Sequence, residues 1–202
     1  MTRAAPTEAR PDAERAPARG LILASQSPQR RAILEQLGVA FEVVAPEVEE
    51  LVEGPPHEVA VENAYRKAAA IVDAGPAAAV LGVDTVVCIG PQIYDKPEEL
   101  GQARDTLIAL SGRPHTVISG VCLVQDGSAR TAMVSTLVEF RELEPRLIDW
   151  YLASGEWRER AGGYAIQGRG AALVASIEGD FLNVVGLPLA TLLALAPELL
   201  TS

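Results

Sequence analysis

Cysteine and lysine are both scarce in this 202-residue chain, with two of each. Cys88 and Cys122 both fall in apolar, strand-like runs, so they read as buried thiols rather than a disulfide framework or a metal site. No apolar run reaches the length of a membrane span, and the most apolar stretch, near the C-terminus, is cut by Pro188 and Pro197. The N-terminus carries no hydrophobic signal region, so a cytoplasmic protein without a membrane partner is expected. Net positive charge is missing as well. A formal charge of −10 argues against DNA or RNA held by general phosphate attraction, but leaves room for a small polyphosphate on a local basic cluster. The 17 basic residues include only Lys67 and Lys96 as lysines. In so arginine-rich a chain, either these two are kept for a compact ammonium or they are chance surface residues. A Walker A loop is also absent.

Apolar residues make up 49% of the chain, and a chain of this length can bury about 70% of its unfolded surface, so a proper core is expected. Its organising stretch is LILASQSPQRRAILEQLG, residues 21–38. Leu21 to Ala24 read as a short buried strand. Ser27 then reads as the N-cap of a helix that starts at Pro28 and closes at Gly38. A strand running into a helix leaves free N–H groups at the turn, where the helix dipole favours an anion. Ser25, Ser27, Arg30 and Arg31 gather there. The turn is either a phosphate cradle or an ordinary capped helix with solvated arginines.

Residues 1–19, rich in Ala, Pro and mixed charge, read as a disordered tail ahead of a domain over 20–202. A strand is expected over 39–44, then an acidic run ending in Glu49-Glu50, then a helix over 58–74 that carries Asn63 and Lys67 one turn apart. Residues 79–83 form a second buried strand. Asp84-Thr85 follow it directly and the apolar run resumes through Ile89. A carboxylate set among eleven mostly apolar residues is costly to bury unless it is paired, metal-bound or catalytic, although a residue capping a local turn is the alternative. A haloacid-dehalogenase motif is excluded, because Val86 stands where its second Asp is required. Lys96 sits on an extended segment before Pro97. A helix over 98–111 comes next, then strands over 114–124 and 129–140 joined through Asp126-Gly127, a strong hairpin signal. Pro145 opens another helix, four glycines bend the 161–170 loop around Gln167, and a strand over 172–177 and a helix over 187–200 close the chain. The expected fold is α/β: a mixed, twisted sheet with flanking helices and two lobes around a central cleft.

Taken together, LASQSP–RR, Glu49-Glu50, NAYRKA, LGVDTVV, DKP, LSGRPH with TVISGV, YLASGEWRERAGGYAIQG and VVGLPL resemble the Maf family of nucleoside triphosphate pyrophosphatases. In this order they cover nearly everything from residue 21 onward. The resemblance implies an inosine-triphosphatase-like fold and a divalent metal cofactor (Mg²⁺, Mn²⁺ or Co²⁺). It also implies hydrolysis of a nucleoside triphosphate to the monophosphate and pyrophosphate, as housecleaning of the nucleotide pool. By motif position it gives functional roles to Ser25, Ser27, Arg30, Glu50, Lys67, Asp84, Lys96 and Gln167. The first three with the two lysines would hold the triphosphate, Glu50 and Asp84 the metal, and Asp84 would activate the water. Both lysines fall on such positions, which speaks against chance survival. GVDT followed by AIQG resembles the branch acting on dTTP and UTP, except that Gln29 stands where that branch usually has arginine, a departure that bears on base selectivity. The alternatives are the same reaction on modified or 7-methylated nucleotides, or a non-catalytic nucleotide-binding regulator of cell division. Besides the nucleotide, a second copy of the chain is the one protein partner considered.

Overall fold

A computed structural model describes residues 20–71 and 79–200. The expected tail over 1–19 lies outside these described residues, whereas the helix expected over 58–74 starts at Pro56 and ends at Ala69, with Ala70 as its C-cap.

β1 (Leu21–Ala24) is buried along its whole length and feeds α1 (Pro28–Leu37). Pro28 takes the first helical turn, where its missing N–H costs nothing, and Gly38 ends the helix with φ 75°. β2 (Phe41–Val44) pairs parallel to β1 on one side. The chain then crosses through α2 (Pro56–Ala69) to β3 (Ala79–Ile89), which pairs parallel to β1 on the other side. The reversal of strand order at β1 is a topological switch point, the place where open α/β sheets bind ligands beyond their strand ends.

β1 accompanies β3 only as far as Gly82, and β4 (Gln92–Tyr94) takes up the same strand from Val87. Residues 83–86 lie in the gap between these two partners. β5 (Pro114–Gln125) and β6 (Ser128–Phe140) form the long antiparallel hairpin, turning on Asp126 (φ 51°) and Gly127 (φ 75°). Both signs are those of the tight hairpin turn that Asp-Gly favours. β7 (Val174–Glu178) completes a seven-stranded mixed sheet in the order β2-β1-β3-β5-β6-β7, with β4 beside β3.

Two large apolar clusters flank the site. One joins β1, α1 and the start of β3 to α6 (Leu189–Leu195). The other joins α3 (Leu100–Leu110), α4 (Pro145–Leu152), the outer ends of β5 and β6, and residues 157–173. α2 packs on the opposite face through small residues. A Cβ on Gly82 would lie 2.7 Å from the Ala68 nitrogen, and one on Gly120 2.7 Å from the Val61 Cα, so helix and sheet approach at near-backbone distance.

Several expectations change. β3 runs unbroken through Asp84, which is a mid-strand residue and not a turn cap. The closing helix over 187–200 is α6 followed by a separate 3-10 turn, Pro197–Leu200, because Ala196 leaves helical geometry. α5 (Phe181–Val185), capped by the Asp180 carboxylate on two backbone N–H groups, was not anticipated. Among the described residues, no helix is long and apolar enough to cross a membrane.

Candidate active site

The gap between β1 and β4 opens into a cleft of about 300 Å³, within the range of small-molecule sites. It is lined by nine of the residues singled out from the sequence: Ser25, Ser27, Gln29, Arg30, Glu50, Lys67, Asp84, Lys96 and Gln167.

The floor is Asp84. Side chains alternate along β3, so Asp84 shares its face with Gly82 and looks at α2, where Asn63 and Lys67 are one helical turn apart. Lys67 Nζ donates to Asp84 Oδ1 at 2.6 Å and to Glu50 Oε2 at 2.8 Å, while Asn63 Nδ2 donates to Asp84 Oδ2 at 3.3 Å. Burial alone would raise the Asp84 carboxyl. The charge and hydrogen bond of Lys67, with Arg30 and Asn63 behind them, outweigh it and hold the group below the usual carboxylate range.

Asn63 has a second task that the sequence did not reveal. Its amide accepts from Leu51 N at 2.7 Å and donates to Leu51 O at 3.0 Å, and Arg66 donates to Glu49 O, so both neighbours of Glu50 are fastened to α2. The acidic run is thereby a fixed part of the site. Gly82 and Gly120 were missed as well, because their role is the close seat they leave for α2.

The β1–α1 wall differs from expectation. Ser27 occupies the N-cap position, but its hydroxyl makes no capping bond and donates to Gln29 Oε1 at 2.8 Å. The early N–H groups of α1 are not consumed by that cap. Arg30 is buried with its guanidinium turned inward: Nε donates to Gly186 O, Nη1 to Ser25 Oγ and Nη2 to Thr85 Oγ1. It ties α1 to β3 and to the turn after α5, and stands under the cradle as a fixed positive charge. Burial lowers its pKa, against the pull of Asp84 and Glu50. Arg31 leaves the cleft altogether and pairs with Glu35 on the outer face of α1.

The opposite wall is built from the segment after β4 and from residues 159–167. Gln167 is held there indirectly. Glu156 Oε2 accepts from Arg169 N at 2.7 Å and fills the space beside Gly168, while the Tyr151 hydroxyl accepts from Ala165 N at 3.0 Å. Tyr164 lines the cleft with its hydroxyl 3.0 Å from His115 Nε2. Glu159, at φ 57°, and Arg160 also face the cleft. Neither stood out in the sequence, where they are two charges among several in EWRER.

Among the described residues, no group of three or more His, Cys, Asp or Glu side chains makes a metal cage. The donors present fit a hard cation of the magnesium type, which commonly uses one or two carboxylates and completes its shell with water and substrate phosphate. Both Asp84 oxygens are engaged by protein donors. Glu50 is 39% exposed, and its Oε1 makes no hydrogen bond with the described residues, so it is the freer ligand.

A family model described as Maf-like protein matches residues 20–199, which takes in every strand and α-helix of this fold and every residue of the cleft. The chain belongs to the Maf family. Curated Maf relatives are similar along most of its length. A dTTP/UTP pyrophosphatase of Symbiobacterium thermophilum is 46% identical over 84% of this chain and 88% of its own. One of Gloeobacter violaceus is 45% identical, covering 88% and 95%. One of Pyrococcus furiosus is 39% identical, covering 87% and 93%.

Proposed function

We propose that this Maf protein hydrolyses dTTP and UTP between the α and β phosphorus, releasing the nucleoside monophosphate and pyrophosphate. The observation that carries this reading is the buried Asp84 carboxylate, held ionised by Lys67 and Asn63 at the floor of a cleft whose walls bring further cations. The activity named for the relatives points to the same chemistry.

Phosphoanhydride hydrolysis needs positioning and charge neutralisation more than covalent work by the protein. Ser25, Ser27 and the first N–H groups of α1 receive phosphate oxygens, with the charge of Arg30 beneath them. Lys96 and Gln167 approach from the other wall. Asp84 accepts a hydrogen bond from the attacking water and takes its proton as the water oxygen bonds to the α phosphorus. The bond to the bridging oxygen then breaks and its electron pair leaves with pyrophosphate. Lys67, already on both carboxylates, is placed to offset charge developing on the phosphoryl group. Glu50 with Asp84 would hold a divalent cation (Mg²⁺, Mn²⁺ or Co²⁺), which when bound supplies charge neutralisation to the phosphates.

The test is a product assay over ordinary and modified triphosphates with each of the three metals. Equal amounts of monophosphate and pyrophosphate are expected, highest for dTTP and UTP. Orthophosphate with a diphosphate would overturn the cleavage position, and no turnover with any pair would leave a nucleotide-binding regulator. Glu50→Gln should raise the metal concentration needed for half activity, because a neutral amide is a poorer ligand for a hard cation. An unchanged titration removes Glu50 from the metal.

A further inference from the structure

We propose that Arg160 is a substrate-contacting residue that binds the phosphate chain, an assignment that rests on the triphosphate reading above. The cations of the cleft are not equally provided for. Lys67 bonds two carboxylates, and Arg30 spends three donors on neutral oxygens. Arg160 lines the same cleft, yet its Nε is enclosed without a hydrogen-bond partner, and the described residues offer its guanidinium neither a hydrogen bond nor an ion pair. Burial lowers its pKa, against the pull of Tyr151, Glu159 and Glu156, which favour its charge but do not bond it. An arginine that lines a ligand cleft and has no acceptor for its guanidinium in the protein is left to find one in the ligand.

The backbone at Arg160 is a placed one. Its carbonyl accepts from Gly163 N at 2.9 Å, and Gly162 and Gly163 lie against Val87 and Pro97, so the residue is set into the wall that also carries Lys96. A neutral base edge would not compensate a partly desolvated cation. A pair of non-bridging phosphate oxygens would, in the fork geometry a guanidinium offers. The contact is therefore to phosphate and is blind to the base.

Calorimetry with inorganic pyrophosphate as titrant tests this, alongside KM for dTTP, UTP and a purine triphosphate. Arg160→Ala should weaken pyrophosphate binding tenfold or more and raise KM for all three substrates by a common factor, with the melting temperature retained. Arg160→Lys should recover part of the loss. Arg158→Ala removes a neighbouring exposed arginine that stacks on Trp157 outside the cleft, and should change neither quantity. Unchanged pyrophosphate affinity in Arg160→Ala, or a KM change that differs between bases, overturns the proposal. The two readings fail separately. A wild-type protein that binds pyrophosphate through Arg160 but cleaves no triphosphate sinks the activity alone. One that cleaves normally and ignores Arg160→Ala sinks this inference alone.

Discussion

The two walls of the cleft have opposite charge states of completion. On the side built from β1, α1, α2 and β3, every charged group at the floor is answered within the protein: Lys67 by Glu50 and Asp84, and Arg30 by three neutral oxygens. On the side built from 94–97 and 159–167, the side chains of Lys96, Arg160 and Gln167 make no hydrogen bonds among the described residues, although the backbone beneath them is firmly tied. The first wall is a finished electrostatic structure into which chemistry can be set. The second is tied down as backbone, while its Lys96, Arg160 and Gln167 side chains have no hydrogen-bond partner among the described residues. The supports differ too. The floor rests on a close helix–sheet seat of glycine and alanine, and the second wall on aromatic packing around Phe140 and Tyr164.

The sharpest way to break this contrast is Asp84→Asn. Lys67 keeps Glu50 as a partner, so folding and nucleotide binding should hold. Turnover should fall by a factor on the order of 100 to 10,000, the scale of a lost general base. Steady-state kinetics beside a thermal melt decide it. Near-normal kcat with a lowered melting temperature would make Asp84 a structural counter-ion only. Next in size is Gly82→Ala, which needs no catalytic atom. The added methyl meets the α2 backbone at Ala64 and Ala68, and overpacking of this kind costs about 1–3 kcal/mol. Pushing α2 outward also draws Lys67 and Asn63 away from Asp84, so stability and kcat should fall together. A variant that melts lower with full kcat would show that the floor does not depend on the depth of the seat.

What was readable in the sequence follows from the range of each signal. Pro28 and Gly38 bound α1, and Asp126-Gly127 turns the hairpin, because those residues act on their own backbone. Asp84 was conspicuous because an acid in an apolar run contradicts its neighbours. The direction of the arginines was not readable. Arg30 and Arg31 are adjacent, and only the presence of Gly186 and Thr85 across the fold sends one inward and leaves the other to Glu35. The seat under α2 is equally non-local: Gly82 and Gly120 lie on different strands, and what makes them matter is a helix from elsewhere in the chain. α5 has five residues, too few for a helical period to show, although Asp180 stood ready as its cap.

Acid should strike the second wall before the floor. His115 is buried against Phe140 and Tyr164, and burial lowers its pKa to about 4 from an ordinary 6.5. The unfolded chain therefore binds the extra proton first. This contribution is fully present above pH 6.5 and is lost as pH falls toward 4, on the order of 3 kcal/mol if the whole difference is realised. Asp84 behaves differently. Its depressed pKa keeps its contribution in place across that window, to be lost only at lower pH. Urea unfolding at pH 7 and pH 5 should show this loss in the wild type and a smaller one in His115→Phe. Equal pH slopes in the two proteins would clear His115.

The smallest effect expected is at Gln29, where the two walls divide the task of recognition between them. Its Oε1 accepts the Ser27 hydroxyl, so one end of the amide is committed to the cradle while the side chain still lines the cleft. Glutamine presents both a donor and an acceptor, and arginine only donors. If the free end of Gln29 reads a base edge, Gln29→Arg should change the ratio of kcat/KM between dTTP or UTP and purine triphosphates. A single net hydrogen bond of about 0.5–1.5 kcal/mol corresponds to a shift of roughly two- to tenfold. If Gln29 only tunes the grip on phosphate, the variant releases the Ser27 hydroxyl and improves every triphosphate alike, as Arg160 would act from the other side. The first outcome is expected, because Arg30 already places a cation beneath this turn and a further one adds little for phosphate. Ratios that stay constant across bases would move Gln29 to the phosphate side and leave base selection to the opposite wall.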